Sequence, residues 1–329
     1  MGLLASFLIS FGAAIFFASF LYWLDRYEKE PLLLLGGVFL WGAIVAAGGA
    51  FLINSILGEG IFLFSNSDVA TTLATGSVIA PLVEEILKGL AVLGVFLVFH
   101  AEFDSVLDGI IYAGVAALGF AATENTYYIY NYGYLEASWS GLVTLTFIRV
   151  FLVGWQHPFY TAFTGIGLAF ARLTRNWFVK LASTFGGLGL AIFTHSVHNT
   201  LESFLRGEAG LVTGVIIDWS GWLIMFAVIL WATRREERAL RVFLADEVQS
   251  GVITPTLYHT ASSAWRQTLA RSIAFFTGRY RKTARFYQVC GEYAHKRQQY
   301  ALLGDEGGNL ATIQALRTEL ACLSPDVQV

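Results

Sequence analysis

The feature that most constrains this chain is the recurrence, over its first two-thirds, of apolar runs long enough to cross a bilayer. A hydrocarbon core offers no water to backbone N–H and C=O groups, so each run must close its own hydrogen bonds as a helix. Composition agrees: of 329 residues 56% are hydrophobic and 14% charged, and the mean hydropathy of +0.59 lies far above that of a soluble globular protein. We read about seven spans: Leu3 to Leu24, Leu32 to Ile56, Ala70 to Phe99, Leu107 to Tyr130, Leu142 to Ala171, Phe178 to Leu205 and Leu211 to Trp231. The expected fold is all-α, a polytopic membrane helix bundle over residues 1–232 followed by a basic helical cytoplasmic region over 233–329.

Orientation follows from Lys and Arg in short loops. Arg26 and Lys29 follow the first span, Arg172, Arg175 and Lys180 separate the fifth from the sixth, and Arg234, Arg235, Arg238 and Arg241 follow the seventh. The loops after the second and fourth spans carry neither residue, and the loop after the sixth has only Arg206. The expectation is a multi-pass protein of the plasma membrane with its N-terminus outside and its C-terminus in the cytoplasm. Trp41, Trp139, Trp177 and Trp231 fall near span ends, as interfacial aromatics do. The net charge of −3 decides nothing, because the charges are segregated.

Cys290 and Cys322, both in the tail, exclude a disulfide framework and fit a reducing compartment. No basic residue precedes the first apolar run, which argues against a cleaved signal peptide. Met1 to Ser6 fits a myristoylation pattern, but a run that starts at once suits a spanning helix better. In the tail, Arg235 to Gln249 has an amphipathic pattern with Leu240, Phe243, Leu244 and Val248 on one face. Asn309 to Leu323 reads as another helix capped by Asn309, and Trp265 to Tyr300 mixes aromatics with Arg and Lys. A small helical region against anionic lipid is the plain reading, and no nucleic-acid partner is expected.

An ionisable group inside a bilayer is costly and marks a functional site by default. Glu84, Glu85 and Lys88 interrupt an otherwise apolar stretch from Val69 to Phe99, and the other spans hold Asp108, Glu124, Asn125, Arg149, His157, His195, His198, Asn199 and Asp218. At 1.5 Å per residue, Glu84 lies roughly 20 Å into its span and His157 at a similar depth. Glu124 and His195 lie roughly 25 Å from the cytoplasmic end of spans that run the other way, so a shared site is geometrically allowed. Neighbours on a helix point about 100° apart, so one of Glu84 and Glu85 faces the site and the other a neighbouring helix. Lys88, at i+4 and i+3, can neutralise either one. His195 and Asn199 share a face, whereas His198 reads as a packing hydrogen bond. The sequence His157-Pro158 predicts a kink or break in the long fifth span. Arg149 balances a glutamate's charge or binds substrate, and spacing does not separate the two.

This set suits water activation: a buried glutamate as general base, histidine sharing the proton work or ligating a metal, and an asparagine with a histidine as oxyanion donors. Two histidines and a glutamate also form an ordinary zinc set, here Glu84, His157 and His195. No His-Glu-x-x-His run, phosphate-binding Gly-Lys-Ser/Thr loop or Gly-x-Ser-x-Gly elbow occurs, and Ser196 beside His195 forms no dyad because a helix turns neighbours apart.

The ordered motifs Glu84-Glu85-x-x-Lys88, Phe120-x-x-x-Glu124-Asn125 and His195-x-x-x-Asn199, with Asp25-x-x-Glu28-Lys29-Glu30-Pro31, Asp108-Gly109 and the Arg149 to His157 segment, resemble the PrsW family of intramembrane proteases. The wider group includes the CAAX prenyl endopeptidases, which have histidine where this chain has Glu124. The resemblance implies a helical membrane protease in which Glu84 or Glu85 activates water, Glu124 and His157 complete the polar site, and His195 with Asn199 holds the water or the oxyanion. Lys88, Asn125 and Arg149 support them. It also implies a membrane-anchored protein substrate, with anti-sigma factors as the class that relatives cut. The residues alone leave two alternatives: an ion- or proton-coupled transporter, against which no inverted repeat is visible, and a non-catalytic membrane sensor or scaffold.

Overall fold

The apolar runs fold as helices for the reason given above, and the computed structural model, which describes residues 1–204 and 208–327, contains no strand among them. The chain divides into two compact units: Met1–Trp23, Pro31–Arg172 and Phe178–Ala227 form the first, and Leu24–Glu30, Leu173–Trp177 and Val228–Val329 the second. The expected end of the sixth span at Leu205, and Arg206 after it, lie outside the described residues.

The helices that build the first unit are α1 (Gly2–Leu24), α2 (Leu32–Ser65), α3 (residues 68–98), α4 (Val106–Tyr128), α5 (Leu135–Thr146), α6 (Gln156–Arg172), α7 (Trp177–Phe204) and α8 (Glu208–Phe243). Among the described residues, 5 runs are long and apolar enough to cross a membrane: Gly2–Leu24, Leu32–Ser65, Val106–Arg172, Trp177–Leu201 and Val212–Gln249. The expected fourth and fifth spans share the run Val106–Arg172, which non-helical backbone at Ala137 and Ser138 divides. Helix α3, which carries Glu84, Glu85 and Lys88, is not among these runs. The architecture is a polytopic all-α membrane bundle.

Helix α4 is the axis of this unit, since every residue from Val106 to Ala122 is buried. Small residues let its neighbours approach, as membrane helices require when lipid is as apolar as leucine. A Cβ on Gly109 would meet the Gly165 carbonyl oxygen of α6 at 2.3 Å, and one on Gly119 would meet the Phe39 carbonyl oxygen of α2 at 2.0 Å. Ser105 and Asp108 form a capping box at the α4 N-terminus, Asp108 accepting from the Ser105 N–H at 2.6 Å. Asp108 therefore belongs to the helix start rather than to the polar set with which the sequence grouped it.

Among the described residues, four helical turns widen to the π form: Trp41–Ala46, Thr75–Ile79, Ile129–Tyr134 and Phe147–Leu152. The Thr75–Ile79 turn lies just upstream of Pro81, which has no N–H for the carbonyl one turn back. The long fifth span does break, at residues 153–155. The break comes just before His157-Pro158, so the proline sits in the first turn of α6, where its missing N–H leaves no intrahelical bond unmade.

In the second unit the C-terminal part of α8 is followed by α9 (Ala245–Gln249), α10 (Pro255–Ala261), α11 (Ala264–Phe276), α12 (Tyr280–Leu303) and α13 (Asn309–Leu323). The amphipathic pattern from Arg235 is the end of α8 plus α9, and Leu240 and Leu244 enter a core with Phe286, Tyr293 and Leu320. The loop after α1 contributes Tyr27 to that core. Helix α13 starts at Asn309, but the cap is not its side chain: Asp305 Oδ1 accepts from the Leu310 N–H at 2.8 Å. Burial pushes the Cys290 thiol up, and Cys322 is exposed.

Candidate active site

The Glu84-Glu85-x-x-Lys88 run lies near the start of the regular part of α3, and all three side chains are buried. Lys88 Nζ lies 2.5 Å from Glu85 Oε1, so the i+3 partner is the one neutralised. Thr161 of α6 donates to Glu85 Oε2 at 2.8 Å, and His195 Nδ1 of α7 meets Glu85 Oε1 at 2.9 Å. Glu85 is thereby saturated. Glu84 Oε2 is buried with no hydrogen-bond partner, and His195 Nε2 stands 3.8 Å from it. The two glutamates do not face different helices, as their 100° separation suggests. One imidazole reaches both, with Nδ1 on Glu85 and Nε2 toward Glu84. A carboxylate can only accept, so Nδ1 carries the proton that goes to Glu85. In the neutral ring the Nε2 lone pair then faces the Glu84 oxygen, so both atoms are acceptors.

A second cluster abuts the first. Arg149, in the widened turn Phe147–Leu152, donates from Nη2 to Glu124 Oε2 at 2.6 Å and from Nε to Asn125 Oδ1 at 2.7 Å. Its guanidinium also lies 4.2 Å from the Tyr128 ring centroid. Of the two readings left open for Arg149, the geometry makes charge balance its ground-state task. His157 Nε2 contacts the same Glu124 oxygen at 2.9 Å, and its Nδ1 lies 3.2 Å from Lys88 Nζ. An ammonium only donates, so Nδ1 accepts and the Nε2 proton goes to Glu124. Lys88 thus joins the two clusters, with its Nζ also 4.6 Å from the Phe120 ring centroid.

On α7, the Asn199 amide donates to the Gly76 carbonyl at 2.9 Å, in the widened turn before Pro81. His198 joins α7 to α8, its Nδ1 being 3.0 Å from Asp218 Oδ1 and its Nε2 2.9 Å from Gln156 Nε2. Asp218 also accepts from Gln156 at 2.6 Å and from Tyr160 at 3.3 Å. The Tyr160 ring stacks on His195, centroids 4.8 Å apart. The structure therefore gathers Glu84, Glu85, Lys88, Glu124, Asn125, Arg149, His157 and His195, and places Asn199 one turn along α7. Tyr160, Thr161 and Gln156 join them, three uncharged residues that do not stand out in the sequence. The first two stand at i+3 and i+4 from His157, so helical spacing pointed to them.

Glu84, His157 and His195 each offer a ligand atom, all within 4.8 Å of one another. Two imidazoles and a carboxylate suit zinc. The orphaned Glu84 oxygen facing a histidine lone pair is what a cation would satisfy, and Glu85 on Nδ1 is the outer carboxylate that commonly orients a ligating histidine. His157 has both ring nitrogens engaged, so ligation by it requires Lys88 to let go of Nδ1. The donor set fits a metal.

Residues 30–233 match the family described as PrsW family intramembrane metalloprotease. The protease PrsW of Geobacillus kaustophilus (strain HTA426) is 29% identical over 239 residues, covering 70% of this chain and 92% of that protein. That of Bacillus subtilis (strain 168) is 26% identical over 226 residues, covering 68% and 90%. That of Clostridioides difficile (strain 630) is 36% identical over 107 residues, covering 32% and 43%. No solved structure gives a significant match. Because the matched stretch carries the whole polar set, Glu84 through Asp218, the similarity and the geometry describe one object: this integral-membrane peptidase belongs to the PrsW family of intramembrane metalloproteases.

Proposed function

We propose that this protease cleaves membrane-anchored proteins by attack of a water held between Glu84 and His195. The observation that carries the reading is the buried Glu84 oxygen with no hydrogen-bond partner, 3.8 Å from His195 Nε2. Glu84 takes a proton from the water as its oxygen bonds to the scissile carbonyl carbon, and returns it to the amine as the C–N bond breaks. Glu85, neutralised by Lys88 and held by Thr161, orients His195. Glu124, fixed by Arg149 with Asn125 alongside, does the same for His157. His195 Nε2 accepts a hydrogen bond from the attacking water, and the second N–H of the Asn199 amide steadies the oxyanion. Glu84, His157 and His195 would hold zinc, which when bound acidifies a water and polarises a carbonyl.

In the same reading, residues 1–232 are the catalytic bundle and 233–329 a cytoplasmic helical domain, with the N-terminus outside the plasma membrane. Support comes from the basic residues after the first, fifth and seventh spans. Substrates are single-span regulators of the anti-sigma-factor kind. The test is cleavage of a single-span substrate in lipid nanodiscs, with elemental analysis of each protein. Glu84→Gln, Glu85→Gln and His195→Ala are expected to lose cleavage, and the first and last also to lose bound zinc. Wild-type cleavage by Glu84→Gln ends the reading, and full activity in a zinc-free sample removes the metal from it.

A further inference from the structure

Helix α11 is built the wrong way round for a helix in water. Trp265, Leu269, Ile273 and Phe276 recur at helical spacing on one face and are 78%, 53%, 52% and 86% exposed. The opposite, buried face holds Gln267, Ala270 and Ala274. This apolar stripe lies on the outside of its unit and takes no part in the core, and Arg266 borders it, with Arg279 and Arg281 just beyond its end.

Its anchorage is equally specific. Arg26 donates to Thr268 Oγ1 at 2.9 Å, Arg271 donates to the Arg26 carbonyl at 3.4 Å, and the Ala264 N–H donates to the Tyr27 hydroxyl at 3.1 Å. Arg26 follows Leu24, the last residue of the first span, by two residues, which is about 7 Å of chain at most. A helix bonded to that loop lies within reach of the headgroups at which the span ends.

We propose that α11 is an in-plane interfacial helix, its Trp265–Leu269–Ile273–Phe276 stripe in the acyl region of the leaflet from which α1 emerges, with Arg266 and Arg281 on anionic headgroups. Exposed apolar residues opposite a small-residue inner face, a terminal tryptophan and a basic border are the chemistry of helices that lie in a membrane surface. The proposal concerns a surface of the second unit and stands apart from the peptidase reading.

The test is a nitroxide at Leu269→Cys, and in a second protein at Ile273→Cys, both in the full chain with Cys322→Ser; Cys290 is buried. The proteins are studied in nanodiscs containing one-third phosphatidylglycerol, with a label at the exposed Thr312→Cys as the aqueous reference. The expected result is higher collision with oxygen than with a water-soluble nickel reagent at 269 and 273, and the reverse at 312. A stripe depth of about 5–10 Å below the phosphates is the value such helices reach. Adding Ile273→Glu to the 269-labelled protein, a change at an exposed position, should shift that label toward the aqueous value. Water-like collision at both sites overturns the proposal. So does low collision with both reagents, which marks a protein surface, a second copy or a substrate, as the occupant.

Discussion

Each unit holds a buried glutamate that ties several helices together, and the two repay comparison. Glu85 takes Lys88 at 2.5 Å, Thr161 at 2.8 Å and His195 at 2.9 Å. Glu247 takes Tyr293 at 2.5 Å, Arg317 at 2.9 Å and Ser250 at 3.2 Å. As carboxylates they are equally well satisfied. They differ in their countercharge and in their neighbours. Lys88 is fully enclosed, whereas the Arg317 side chain is half in solvent. Beside Glu85 stands Glu84, the one carboxylate among the described residues with a buried oxygen lacking a hydrogen bond. A saturated buried charge is architecture in lipid and water alike, and an unsatisfied one is a place where a proton, water or cation still has something to gain.

The comparison breaks most sharply at Glu84. On the proposed reading, Glu84→Gln lowers cleavage about 10²- to 10⁴-fold, the usual worth of a general base, with no loss of thermal stability when both proteins are compared free of metal. A marked drop in melting temperature would move Glu84 into the architecture with Glu85. Next comes Lys88→Met, which leaves Glu85 buried without its countercharge; unfolding in nanodiscs should show a loss of about 3–5 kcal/mol. Arg317→Ala is the matched change in the second unit and should cost about 1 kcal/mol, less in high salt, because solvent already screens that pair. If Arg317→Ala costs as much as Lys88→Met, enclosure of the partner is not what separates the two hubs. The smallest effect is chemical: a maleimide should modify Cys322 quickly and leave Cys290 untouched until the second unit unfolds, as mass spectrometry would read.

Much of the site was legible because polar groups in apolar runs are conspicuous, and because i, i+3 and i+4 spacings say which of them share a helix face. The partners of Glu124 were not, since Arg149 and His157 reach it from 25 and 33 residues away. Asp108 shows the opposite failure. The Ser105-x-x-Asp108 pattern is a visible capping signal, yet the cost of a buried charge drew the residue into the functional set. Tyr160 and Thr161 are inconspicuous in the sequence because a tyrosine or threonine in a membrane helix carries no charge to explain.

Taken alone, the amino-acid order determined that the chain spans a membrane as helices and that Glu84, Glu85 and Lys88 share one helix. Hydropathy and helical period are local quantities, and both follow from each stretch without reference to any other. Only the tertiary structure decided that Lys88 belongs to Glu85 and that His195 stands between both glutamates. Those pairings depend on how close α3, α6 and α7 come, which is set by packing between side chains distant in sequence.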